Sequence, residues 1–188
     1  MPYASGVSSR AACTTTDASM VAIRDAIMGT GLLQGYYEDV RAFPTTLGDL
    51  FNQPAGVKPF NPVTQRGWHG PYLMNGITLT DDDWQEYRNY EDSDPSRFEL
   101  PAYINHPPTP TGTPVTTVLD SWNRPIILQT PVGGKQYTRL VSAGIDKILT
   151  TTLTDNEALG RGDDRVIFLD LAELPVLSAA QKEAQTCE

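Results

Sequence analysis

Carboxylates crowd into one stretch of this chain, SAGIDKILTTTLTDNEALGRGDDRVIFLDL, from Ser142 to Leu171. Asp146, Asp155, Asp163 and Asp164 stand there among Gly and Thr, between two hydrophobic runs. Loop carboxylates have three uses. They bond their own backbone where the chain turns. They act as an acid/base pair, which demands a cleft and a defined separation. Or they bind a hard cation such as calcium, which takes about six to eight oxygens from carboxylates, carbonyls and water. A Gly-rich loop bends tightly and exposes carbonyls, and Asp146 meets Asp163 and Asp164 if the loop closes on itself. The pattern is not an EF-hand, which requires D-x-D-x-D-G and a closing Glu.

No other cluster offers a reaction. His69 and His106 sit beside Gly or Pro, in no Ser/His/Asp or Cys/His context, and read as exposed loop histidines. VGGK is too short to cradle a phosphate and belongs to a hairpin. The expectation is that the chain is not an enzyme. Cys13 and Cys187 form no CxxC and no Cys/His cluster, which argues against zinc. They are either one disulfide, tying the C-terminus to the first helix, or two thiols.

The bulk numbers narrow the class. A length of 188 residues suits one domain with a long insertion, and 39% hydrophobic content is enough for a core. With 15 Pro and 15 Gly, much of the chain must be loop and turn. A net charge of -9 argues against nucleic acid and against an anionic membrane surface. It fits an exported protein, or one that collects divalent cations. No apolar run approaches the roughly 18–20 residues of a membrane span. MPYASGVSSRAACTTTD reads as a flexible leader or an expression junction, so residues 1–16 precede a globular domain at 17–188 with an insertion at about 75–118.

The elements that must position the carboxylates follow from periodicity. Met20, Ile23, Ile27, Leu33, Tyr37 and Val40 keep helical spacing and predict a helix over 17–41, capped by Thr16 or Asp17. Gly29, Gly31 and Gly35 weaken it and mark close packing. Pro44 stops it, and Thr46 caps a short turn carrying Leu47, Leu50 and Phe51. Residues 52–72 read as a packed loop with Phe60, Trp68 and Tyr72. The insertion is acidic and aromatic, then Pro/Thr-rich and extended, with a short helix at 81–90. Trp84, Tyr87 and Tyr90 share a face there, either packed on the body or exposed to a partner. Strands are expected at 125–130, 136–142 and 165–171, as an antiparallel sheet covering the helix. A short helix from Ser178 closes the chain. The fold class is therefore α+β. Trp68, Tyr72, Trp122 and Phe168 are expected in the packing.

Several segments resemble the type II secretion major pseudopilins, in the same order. GYYEDVRAFPTTLGDL resembles the end of that family's first helix, with its aromatic-Pro-Thr-Thr and Gly. GWHGPYL resembles the Gly-Pro-Tyr segment that follows, and LDSWNRPIILQTP the Asp-Pro-Trp-Gly-x-Pro-Tyr turn and strand. RLVSAGIDKILTT with GRGDDRVIFL resembles the Ser-Ala-Gly-Pro-Asp-Gly loop and its closing Asp-Asp. Together they span 17–72 and 119–170. Departures are Ser121 for Pro, Asn123 for Gly, and Ile145-Asp146-Lys147 for Pro-Asp-Gly. Asn tolerates the left-handed backbone that Gly supplies. Lys147 adds a positive charge beside the loop, and the stretch from Ile148 to Leu159 is longer than the family's.

The resemblance implies a pilin-like fold: an N-terminal helical spine on a small antiparallel sheet, with long irregular loops. It implies a structural subunit of a periplasmic fibre, anchored in the inner membrane by an apolar helix that this chain lacks, so that the chain is a soluble piece. Its partners would be other pseudopilin subunits and secretion-machinery components or secreted substrate. It implies calcium in the C-terminal loop, held by Ala143, Asp146, Ile148, Asp163 and Asp164. Asp155 has no family counterpart. The alternative function is a minor pilin or pilin-like binding module whose 75–118 insertion contacts a secreted substrate or surface ligand.

Overall fold

The computed structural model describes residues 3–80, 83, 115–129, 138–147, 149, 151 and 163–169. The predicted helix at 81–90 is described only at Asp83, which is helical. Trp84, Tyr87, Tyr90, His106, Cys187 and the C-terminal helix expected from Ser178 lie outside the described residues.

A long helix, α1, runs Tyr3–Met28. It starts well before the expected cap, so Thr16 and Asp17 are interior, and most of the segment read as a leader is helical. Thr14 and Ser19 avoid competing with the helix by donating their hydroxyls back to the carbonyls of Arg10 and Thr15. Cys13, Thr16, Met20, Ile23 and Ile27 are buried at spacings of three and four, one stripe along one face. Cys13 is disulfide-bonded.

The helix does not continue to 41. Gly29, at φ +83°, ends it, and a tight turn pairs Thr30 with Leu33 before a second helix, α2, Tyr36–Val40. Leu33, expected on the apolar stripe, is 73% exposed at that turn, and Leu32 beside it 97%. The chain then packs back on itself. A Cβ on Gly35 would lie 2.2 Å from the Gly29 nitrogen and 2.6 Å from the Ile27 carbonyl oxygen. Glycine here permits backbone to touch backbone. Tyr36 returns to the core that Leu33 leaves.

After α2 the Pro44 stop holds. A 3-10 turn, Leu47–Leu50, buries Leu47 and Leu50, and Asp49 reaches back to accept from the Thr45 and Thr46 N–H groups. Burial raises the Asp49 carboxyl above its ordinary range, against those hydrogen bonds. Trp68 donates its indole N–H to the Asp49 carbonyl at 3.0 Å. Trp68 and Tyr72 of the 52–72 segment are thus packed, while residues 61–66, expected in the same packed loop, are exposed.

Among the described residues five short strands follow. β1, Ile77–Leu79, pairs antiparallel with β2, Val115–Thr117. The two ends of the predicted insertion therefore meet in a two-stranded stem. β3 (Ile127–Gln129), β4 (Arg139–Ser142) and β5 (Arg165–Phe168) form the expected antiparallel sheet, in that order. Register sorts the side chains by face. Leu128, Leu140 and Ile167 stand opposite one another and pack toward Met20, Ile23 and Ile27 of α1. Ile127, Val141 and Val166 form the next row, on the other face, with Leu79 and Leu149. Both faces are covered, which is why β3 and β4 are buried throughout rather than alternating. Trp68 and Tyr72 pack on the helix side and Phe168 on the other, as expected of large rings.

One substitution reads out the helix break. Gly35→Ala should lower unfolding free energy by about 2 kcal/mol or more, since the methyl must displace rigid backbone. Urea unfolding followed by circular dichroism measures it. Gly31→Ala, where nothing lies within 4 Å, should cost far less.

Candidate cation loop

The loop opens as β4 ends. Ser142 and Ala143 are fully buried, and Gly144 to Lys147 turn outward. Gly144 and Lys147 both take left-handed backbone angles, φ +70° and +65°. A Cβ on Gly144 would lie 2.3 Å from the Asp163 carbonyl oxygen and 2.6 Å from its Oδ2. The absence of a side chain lets Asp163 come against the turn. There the Asp163 Oδ2 accepts the Asp146 N–H at 2.8 Å. The start of the acidic stretch thus closes on its end, across 17 residues.

The predicted ligands do not all converge alike. Ala143 and Asp163 are at the closed turn, and Asp146 is exposed beside it. Asp164 is buried, with its Oδ2 accepting the Thr151 N–H at 2.5 Å, so it holds the other limb of the loop. Ile148 and Asp155 lie outside the described residues. Among the described residues, no three His, Cys, Asp or Glu side chains come together as a metal cage. The donor set is all oxygen, with a carboxylate drawn onto a carbonyl-bearing turn. Oxygen donors of this kind are what a hard cation takes, with carbonyls and water completing its shell.

A buried polar relay leads from the sheet into this turn. Asp120 Oδ1 accepts the N–H groups of Trp122 and Arg124, each at 2.9 Å, which shapes the turn after β2. Within that turn Asn123 takes φ +65°. Asp120 Oδ2 accepts the Ser142 hydroxyl at 2.6 Å, and Ser142 Oγ accepts the Gly144 N–H at 3.3 Å. On the other limb, Asp17 of α1 accepts from Arg165 Nε at 2.9 Å and Nη2 at 2.5 Å. Sequence reading missed these groups. An Asp two and four residues before the amides it binds is an Asx-turn pattern, and could have been found; the Arg165 partner, 148 residues away, could not.

A second polar group lies around α2. Tyr72 donates its hydroxyl to Asp39 Oδ2 at 2.7 Å and accepts the His69 N–H at 3.0 Å. Burial raises the Tyr72 phenol far above its ordinary range, with Asp39 adding to it and the His69 N–H opposing. Tyr36 is pushed up to about 12 by burial and by Asp49. Both phenols therefore stay protonated, and Tyr72 serves as a donor to Asp39. His69 is exposed, as expected, but stacks on Phe60 and brings Nδ1 to 4.0 Å from Asp39 Oδ2. The group locks α2 to the Gly-Pro-Tyr segment.

Comparison with known protein families, with characterised proteins and with solved structures finds no match.

Asp120 supplies a pH test. Burial raises its carboxyl above the ordinary 3.8, outweighing its hydrogen bonds and the nearby Arg124 charge. The native state then holds this proton more tightly than the unfolded chain. The stability so contributed is full below pH 3.8 and is lost as pH rises through the raised native value. Carbon-13 NMR of the Asp120 carboxyl should give a midpoint above 3.8. A midpoint at or below it would contradict the assignment.

Proposed function

We propose that this chain is the globular part of a pseudopilin, a structural subunit of a type II secretion-type fibre, with calcium stabilising its C-terminal loop. The observation that carries the reading is the closure of the SAGID turn onto Asp163. A helix packed on a three-stranded antiparallel sheet supports the pilin-like form of it. Further support comes from Asn123 and Lys147. Both stand where the resembled family has Gly, and both take the left-handed angle that Gly would take. In this reading α1 continues an apolar helix anchored in the inner membrane, and the globular part faces the periplasm. No helix among the described residues is itself long and apolar enough to cross a membrane. Neighbouring subunits, repeating by heterologous contacts, are the principal partners.

Bound calcium would neutralise the loop carboxylates and fix the loop's shape. Asp146, Asp163 and Asp164, with the carbonyls of Ala143 and Ile148, would hold it. Their role is stability, so the reading assigns no catalytic residue.

The β1–β2 stem favours one addition. Because Leu79 and Val115 are register partners, residues 81–114 leave and rejoin the body at one place. Such a segment can carry a binding function for secreted substrate without disturbing the sheet, which is the minor-pilin reading.

Calcium at 100 times its dissociation constant should stabilise the chain by about 2.7 kcal/mol, or raise Tm by about 5–11 °C at this size. Magnesium should not substitute. Asp146→Ala and Asp163→Ala should abolish the shift, and Lys147→Gly should enlarge it by removing a positive charge. An unchanged melting curve for the folded wild type would remove calcium from the reading.

Assembly is tested separately. Joined to an apolar N-terminal helix and expressed with its secretion machinery, the chain should form filaments visible by electron microscopy. Replacing 81–114 by an Asn-Gly turn should leave them intact if the segment is a binding insert. Filaments lost with that excision, from a subunit that still folds, would assign the segment to assembly instead.

A further inference from the structure

The two limbs of the acidic loop are tied to consecutive residues of one helix. Thr16 of α1, fully buried, accepts the Ser121 N–H on its Oγ1 at 3.0 Å. Ser121 follows Asp120, whose carboxylate holds Ser142, whose hydroxyl in turn holds the Gly144 N–H. That is the entry limb. Asp17, the next helical residue, holds Arg165 through two hydrogen bonds. Arg165 follows Asp164, which holds the Thr151 N–H. That is the exit limb. We infer that Thr16 and Asp17 are positioning residues for the candidate cation loop, holding its entry and exit in register so that helix and loop form one mechanical unit.

Packing alone does not require this arrangement. The apolar part of the stripe, Met20, Ile23 and Ile27, already seats α1 on the sheet. A hydroxyl and a carboxylate in the interior of a helix add directional bonds, which fix where the limbs sit rather than how much surface is covered. Neither residue is among the predicted cation ligands. By linkage, whatever orders the loop strengthens the docking of this helical turn, and the helical turn raises the loop's affinity by the same factor. The metal arm of the argument rests on the calcium reading. The positioning arm does not.

Amide hydrogen exchange on the whole chain without metal tests the positioning directly. The probes are the Gly144, Asp146 and Thr151 amides, each bonded within the loop. Thr16→Val removes the acceptor at nearly constant shape and should speed exchange at Gly144 and Asp146 about tenfold, the worth of one buried hydrogen bond. Asp17→Asn should do the same at Thr151. Thr16→Ser, which keeps the hydroxyl, should restore wild-type exchange. Ile27→Val, a core change elsewhere on α1, should leave the three amides alone. Should Thr16→Val fail to fold, Ser142→Ala tests the same limb from its far end.

Titration with calcium alone, by calorimetry, then reads the coupling: Thr16→Val and Asp17→Asn should each weaken binding about tenfold. Unchanged exchange in the folded variants, or equal acceleration by Ile27→Val, overturns the inference even if calcium binds normally. Accelerated exchange in a wild-type background that takes up no calcium removes the calcium reading and upholds the positioning role.

Discussion

One stripe of α1 has to do two different jobs. Met20, Ile23 and Ile27 close the helix side of a three-stranded sheet too narrow to bury itself. One turn before Met20 on the same helix, Thr16 and Asp17 replace hydrophobic contact with hydrogen bonds to the segments that flank the acidic loop. Everything downstream depends on the helix being in register with the sheet. Sliding it by one residue would carry Thr16 away from Ser121 and Asp17 away from Arg165, while an apolar stripe alone would tolerate more. Cys13, disulfide-bonded and buried on that stripe, adds a covalent restraint at the same end.

At the opposite end of α1 the constraint is steric. Gly29 and Gly35 let the chain leave the helix, turn, and come back within contact of its own backbone. That break replaces a continuous spine by two helices and re-aims the aromatic residues. Tyr36 enters the core and meets Tyr72 edge-on with ring centroids 5.6 Å apart. Asp39, buried on the same short helix, then needs a donor and finds the Tyr72 hydroxyl. The Gly-Pro-Tyr segment is therefore fixed by a helix end that exists only because of the glycines.

Short apolar runs and turn signals made the three-stranded sheet legible, since VIFLDL, RLVS and PIILQ lie between turn residues. The Pro44 stop and the Thr46 turn were legible for the same local reasons. The helix boundary was not. Leu33, Tyr37 and Val40 keep helical spacing with Met20 and Ile27, and periodicity is blind to a break whose length, residues 29–35, is close to two whole turns. The three glycines were the only sign, and they were read as packing marks rather than as an exit. Thr16 and Asp17 misled in the other direction: both residue types favour N-caps, but tertiary partners far along the chain hold them inside the helix. At the acidic loop, the meeting of Asp146 with Asp163 was legible from the Gly-rich composition, though it is made through the Asp146 amide. The division of labour between Asp163 and Asp164 was not, because adjacent carboxylates differ only in which limb each one bonds.

The charge distribution gives the loop its electrostatic setting. The chain carries 14 basic against 23 acidic residues, yet Arg124, Arg139 and Arg165 are buried. Arg139 bonds the neutral amide of Gln129, which passes the interaction on to the Thr151 carbonyl. Arg165 is matched by Asp17. Asp39, Asp120 and Asp164 are buried too, so the buried charges balance among the described residues, and the buried arginines fasten the sheet and the loop limbs from inside. Closing the loop brings Asp163 onto the backbone of Asp146, whose amide is the donor that draws it in. Lys147, held at the end of the same turn in a backbone angle better suited to glycine, places one fixed positive charge beside these carboxylates.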